Sequence, residues 1–251
     1  MKKTIIVAIS LLFLLSFQVE TKPKWEKIKS KNGISVYRME VPGKDHVIFK
    51  GKGVVNKEMF LVLSVLGDIN NLTKWIDRLK SAKLVKEVSD MELILYNVVT
   101  APWPLQNRDM VLRTKATYDK KYDWVHIRGR NIKHPKYPKK SGIVRIPYMR
   151  NTWSLKPIRK GKATWVEFKV QADPGGAIPA WVSNMVSKDV PYKSLMNLRK
   201  RVRQGKYSRY VLKKIQRYAK ANGLIERYKK KFGPDYIKTD EYYEKTYSLV
   251  K

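Results

Sequence analysis

The chain has 251 residues, 43% of them hydrophobic and 11% aromatic, which excludes a disordered chain and leaves room for one large domain with an appendage. Its 54 Lys and Arg against 21 Asp and Glu give a net charge of +33, which predicts attraction to polyanionic surfaces and says nothing of fold. With no Cys there is neither a disulfide framework nor a lipid-modified cysteine, so the fold rests on its apolar core.

Lys2-Lys3 precede an apolar run from Thr4 to Phe17, followed by polar Gln18, Glu20 and Thr21. This is the pattern of an export signal, with an apolar stretch too short to cross a bilayer comfortably. Residues 1–22 are therefore read as a signal peptide or, if uncut, an N-terminal anchor, and the protein is expected in the periplasm or secreted. Residues 23–204 form the expected binding domain, and 205–251 a basic helical extension.

Trp25 to Lys29 suggests a short helix, and Gly33 to Arg38 alternates like a strand. Pro42-Gly43 marks a turn, and His46 to Val55, interrupted by Gly51 and Gly53, completes a hairpin. Asn56 is the expected N-cap of a helix through Leu66, and Asp68 to Leu79 has helical spacing. Strand patterns follow at Ala82 to Val88, Met91 to Val99, Arg108 to Tyr118, Trp124 to Arg130, Ile143 to Leu155 and Ala163 to Ala172. Short strands in direct succession require an antiparallel sheet.

After Gly175-Gly176, the positions Ile178, Trp181, Val182, Met185, Val186, Tyr192, Leu195, Met196 and Val202 give one apolar helical face, with a kink expected at Pro191. Beyond Gly205, Val211, Ile215, Tyr218, Ile225, Tyr228 and Phe232 keep helical spacing in a strongly basic, tyrosine-rich stretch. That segment reads as an appendage to the sheet.

Three patterns in this order carry a resemblance to a known family: Pro104-Leu105-Gln106-Asn107-Arg108-Asp109-Met110-Val111, then Gly176-Ala177-Ile178-Pro179-Ala180-Trp181, then Val190-Pro191 with Leu195 and Leu198-Arg199. Over Trp25 to Gln204 the chain resembles the START (steroidogenic acute regulatory protein-related lipid-transfer) family, of the exported bacterial type. The resemblance implies an α+β helix-grip fold, a curved antiparallel sheet wrapped around a long C-terminal helix, here with an extra basic helical tail. It also implies binding of one lipid in an internal cavity and transfer between membranes, with the loop before Arg108 and the last helix as the gate.

On that basis the ligand is expected to touch Leu93, Leu95, Met110, Leu112, Phe168, Val170, Met185 and Met196; Asn97, next on the Leu93-Leu95 face, either gives the pocket one polar contact or marks that face as not the lining one. Trp103, Leu105, Trp181 and Pro191 are the expected membrane and gate residues. Arg108-Asp109 reads as a structural ion pair setting the strand against a helix. Where sterol-binding relatives carry an acid and an arginine, this chain has Leu95 and Thr114, with Glu92, Tyr96 and Arg113 as alternatives in another register. His46, His126 and His134 have no metal-ligand spacing, so no metal or cofactor is expected. The expected partners are a hydrophobic ligand and an anionic membrane, and the protein is expected to act as a monomer and not as an enzyme. A helix-grip enzyme of the cyclase or hydratase kind, and nucleic-acid binding through the tail, are the alternatives.

Overall fold

The computed structural model describes residues 23–43, 47–176, 178, 184, 188–236 and 249–250. Glu26–Lys31 is strand β1 and not a helix. Asn32 and Gly33 both adopt positive φ, 53° and 64°, the geometry of a two-residue hairpin turn, and they fold β1 back on β2 (Ile34–Met39). β3 (Ile48–Val55) pairs with β2 as the hairpin reading predicts.

Helix α1 (Met59–Leu66) is buried on every face and starts after Glu58. Asn56 does not cap it, because its Oδ1 accepts from Arg159 Nη1 at 3.0 Å. The helix expected from Asp68 to Leu79 is a 3-10 segment, Ile69–Lys74, where Asn70, Asn71 and Thr73 are weak helix formers. Leu79 already belongs to the next strand.

β4 (Leu79–Ser89), β5 (Glu92–Val99), β6 (Arg108–Asp119), β7 (Trp124–Ile132), β9 (Tyr148–Ile158) and β10 (Ala163–Asp173) complete the sheet in the order β1-β2-β3-β10-β9-β7-β6-β5-β4. The run expected from Ile143 to Leu155 is divided at Ile146-Pro147, and its first part, β8 (Val144–Arg145), pairs parallel to β6. All pairings along the main order are antiparallel.

Helix α2 (Val190–Arg203) lies on the inner face of β2, β3 and β10. Pro191 sits in its first turn, where no N–H is required, so it starts this helix and does not kink it. The expected earlier turns, with Trp181 and Met185, fall outside the described residues. The two glycines of β3 let the helix come close: a Cβ on Gly51 would lie 2.9 Å from both Leu195 Cδ1 and Pro191 Cβ. Over Gly53, Arg199 donates to the carbonyls of Val54, Asn32 and Gly33 at 2.8, 2.5 and 2.9 Å.

The basic extension continues the core. α3 (Arg209–Ala221) begins at Ser208, whose hydroxyl accepts from Val211 N at 3.4 Å, and α4 (Leu224–Phe232) follows Gly223. Leu212, Ala219, Leu224 and Tyr228 are buried in the same cluster as α1 and α2. What the sequence presents as an appendage is thus packed on the domain, because its apolar stripe finds α1. Asp123, in the β6–β7 turn, accepts from Tyr118 Oη at 2.7 Å and Arg227 Nε at 2.9 Å and pairs with Lys231.

Gly51→Ala tests the helix-to-strand approach. The added methyl meets the rigid Pro191 ring, so stability should fall by about 1–3 kcal/mol in urea denaturation, the usual cost of overpacking.

Candidate ligand-binding cavity

Pairing of Leu93 with Thr114, Leu95 with Leu112 and Asn97 with Met110 puts these six side chains on one face of the sheet. α2 does not cover this part of the sheet. Between it, α1, the 3-10 segment and α3 lies a cavity of 310 Å³. Leu63 and Leu66 of α1 form one wall, Trp75 and Trp153 meet edge to face at 5.7 Å in another, and Val211, Ile215 and Tyr218 of α3 close a third.

Leu93, Leu95 and Leu112 line this cavity, and so do Asn97 and Thr114. Met110, Phe168, Val170 and Met196 do not. Met110 fills a separate cluster with Ile146 near the start of β6. Phe168 stacks on the back of Trp153 at 4.0 Å, and it and Val170 belong to the packed core shared with Leu195 and Leu198 of α2, against which Met196 is half-buried. Trp103 is 93% exposed and Leu105 half-buried, on a loop none of whose residues 100–107 borders the cavity. Pro191 is buried against β3. The α3 wall was absent from the sequence reading, although the spacing of Val211, Ile215 and Tyr218 was visible.

Three buried polar atoms of cavity-lining residues lack a hydrogen-bond partner among the described residues: Trp75 Nε1, Asn97 Oδ1 and Thr114 Oγ1. Leaving such a group unsatisfied costs about 1–3 kcal/mol, so a guest with a donor and an acceptor is rewarded here. Glu92, Tyr96 and Arg113 point the other way. Arg113 donates to Glu92 at 2.5 Å on the outer face, and Tyr96 donates to Asp109 at 2.8 Å. Among the described residues no group of three or more His, Cys, Asp or Glu is arranged to hold a metal ion. His126 Nδ1 instead lies 2.9 Å from Ser154 Oγ.

Arg108-Asp109 is not an internal pair. Arg108 donates to the carbonyl of Gln106, two residues before it, and the fully buried Asp109 takes both arms of Arg145, at 2.6 and 2.9 Å, so it fastens β6 to β8 and not to a helix. Burial opposes the charge of Asp109, but Arg145 and the Tyr96 hydroxyl outweigh it and hold the carboxyl below its ordinary range. Burial and Asp109 together push Tyr96 up to about 12. The sheet's outer face carries a second depression, of 710 Å³, edged by Arg113, Lys115, Arg128, Arg130, Arg150 and Lys169. This basic depression and the cavity therefore occupy opposite faces of one sheet.

Comparison with known proteins places this geometry. The START domain family matches residues 14–207. An uncharacterized protein of Pseudomonas aeruginosa is 29% identical over 70% of this chain and 85% of its own length. Mouse phosphatidylcholine transfer protein is 27% identical over 67% of this chain and 79% of its own. The crystal structure of a STAR-related lipid transfer protein fragment from Xanthomonas axonopodis superposes with a TM-score of 0.65 at 31% identity, covering 72% of this chain and 99% of that one.

Because Asp109 has a depressed pKa in the folded chain, its stabilising contribution is present above the unfolded value of about 3.9 and is lost as pH falls through the lower folded value. Asp109→Asn should therefore cost about 3–5 kcal/mol near neutral pH, the penalty of leaving Arg145 buried and unpaired. It should also flatten the acid limb of stability against pH in urea titrations.

Proposed function

The chain belongs to the START domain family, and on that premise we propose that it is a monomeric carrier that holds a single lipid or other hydrophobic molecule in the cavity and passes it between membranes. The observation that carries this reading is a largely apolar 310 Å³ space in which three buried polar atoms lack partners among the described residues. Water in such a space is poorly served, and an apolar guest that displaces it gains the hydrophobic term.

The volume is at the small end for ligand sites, which run from about 300 to 1,000 Å³, and suits one slim hydrocarbon. A hydroxyl group can donate to Asn97 Oδ1 or accept from Trp75 Nε1. The guest is neutral on this reading. The reading contains no catalytic step. Among the groups at the cavity, the Tyr118 hydroxyl is pushed up to about 12 by burial and Asp123, far from a useful acid or base near neutral pH. The net charge of +33 supports approach to anionic membranes, and the charged-then-apolar stretch before residue 22 supports action in the periplasm or outside the cell.

Native mass spectrometry of protein purified from its own host should show one bound lipid per chain; a chain that is always empty contradicts the proposal. Asn97→Leu should bind a long-chain alcohol about tenfold more weakly, the worth of one buried hydrogen bond, while holding the matching alkane at least as well. Competition of each guest against a fluorescent fatty probe reads both.

A further inference from the structure

We infer that the lipid enters and leaves at the mouth between α3 and the β4–β5 turn, and that this end of the protein is the face that docks on an anionic phospholipid leaflet. The inference rests on the carrier reading above and adds the route and the partner surface.

Two cavity-lining side chains reach solvent at this mouth, Leu84 of β4 at 44% exposure and Tyr210 of α3 at 65%. The cavity therefore opens between them. At the other end of the strands, Met110 and Ile146 plug the sheet beneath the Trp103 loop, and the cavity does not extend that far. The rim of the mouth is unusual for a soluble surface. Val88 beside the β4–β5 turn and Tyr122 in the β6–β7 turn are exposed, Lys121 Nζ lies 5.0 Å from the Tyr122 ring centre, and β4, the β6–β7 turn and α3 carry the exposed cations Lys83, Lys86, Lys120, Lys213 and Lys220. Apolar and aromatic tips set among cations match an anionic membrane interface, where rings settle at headgroup level and cations meet phosphate.

The mouth is latched by charge. Lys214 of α3, itself lining the cavity, pairs with Glu87 and lies 3.9 Å from Asp90, and Arg217 donates to Asp90 at 3.1 and 3.2 Å. In water, parting α3 from the turn leaves these cations without partners. On an anionic leaflet, lipid phosphates replace Glu87 and Asp90 as acceptors, so the charged latch between α3 and the turn can part while Leu212 and Ala219 keep the helix seated on α1. A zwitterionic leaflet carries phosphates too, but its choline cations cancel the net attraction that would bring Lys214 and Arg217 to them. Single strands of nucleic acid are a poorer fit, because two of the exposed apolar tips, Leu84 and Val88, are aliphatic and offer no ring for a base to stack on.

The chain has no Cys, so single-cysteine variants report cleanly. Val88→Cys and Tyr122→Cys, each carrying a polarity-sensitive dye, should shift to the blue on phosphatidylglycerol vesicles and stay unchanged on phosphatidylcholine vesicles, with Trp103→Cys as the comparator. Val88→Ser combined with Tyr122→Ser should slow transfer out of phosphatidylglycerol vesicles about tenfold, as expected for lost apolar insertion, and leave the lipid retained in solution unchanged. Silence at both mouth positions, a response confined to Trp103→Cys, equal shifts on the two vesicle types, or tighter binding to single-stranded DNA than to vesicles at one ionic strength would overturn the inference. If the wild-type chain retains lipid in solution and any of these occurs, only the mouth is refuted; if it retains none, the carrier reading falls too.

Discussion

Everything in this fold follows from how closely α2 approaches β3. Gly51 and Gly53 remove the side chains that would hold the helix off the strand, and Arg199 then seats its guanidinium on three backbone carbonyls of β3 and the β1–β2 turn. With the helix committed to β2, β3 and β10, it does not cover the inner face of β5 to β7, whose leucines pack among the described residues against other elements. α1 and α3 cover that face only in part, and the unfilled remainder is the cavity. The cavity is thus a consequence of where the main helix is pinned.

A chain with a net charge of +33 must place its few acids well. Asp109 fastens β8 to β6, Asp123 ties α4 to the β6–β7 turn, and Glu87 with Asp90 ties α3 to the β4–β5 turn. Asp109 is fully buried and behaves as structure, whereas Asp90 and Arg217 are partly exposed, the kind of contact that is individually weak and open to competition from other anions. Burial thereby separates the permanent ties from the one proposed to open.

Much of the sheet was legible because alternation along a half-buried strand is a local signal, and it correctly put Leu93, Leu95 and Leu112 on one face. Local signals also existed for what was missed: Asn32-Gly33 is a hairpin turn that outweighs the helical spacing before it, and Pro147 interrupts the run that includes Ile143. Other features depend on contacts remote in sequence. Nothing near Asp109 announces Arg145, and the periodic face of α3 gives no hint that α1 and the β4–β5 turn complete it. Parity likewise could not tell that Phe168 and Val170 would belong to the core shared with α2 while Leu93 would face empty space, since both face the same side of one sheet.

The central claim is that the guest sits beside Trp75 and Trp153, away from the Trp103 loop. Quenching of tryptophan fluorescence by a lipid brominated along its acyl chain measures this directly. The account predicts that quenching persists in Trp103→Phe and disappears when Trp75 and Trp153 are both replaced by phenylalanine. Quenching that survives in the double variant and vanishes in Trp103→Phe would contradict it.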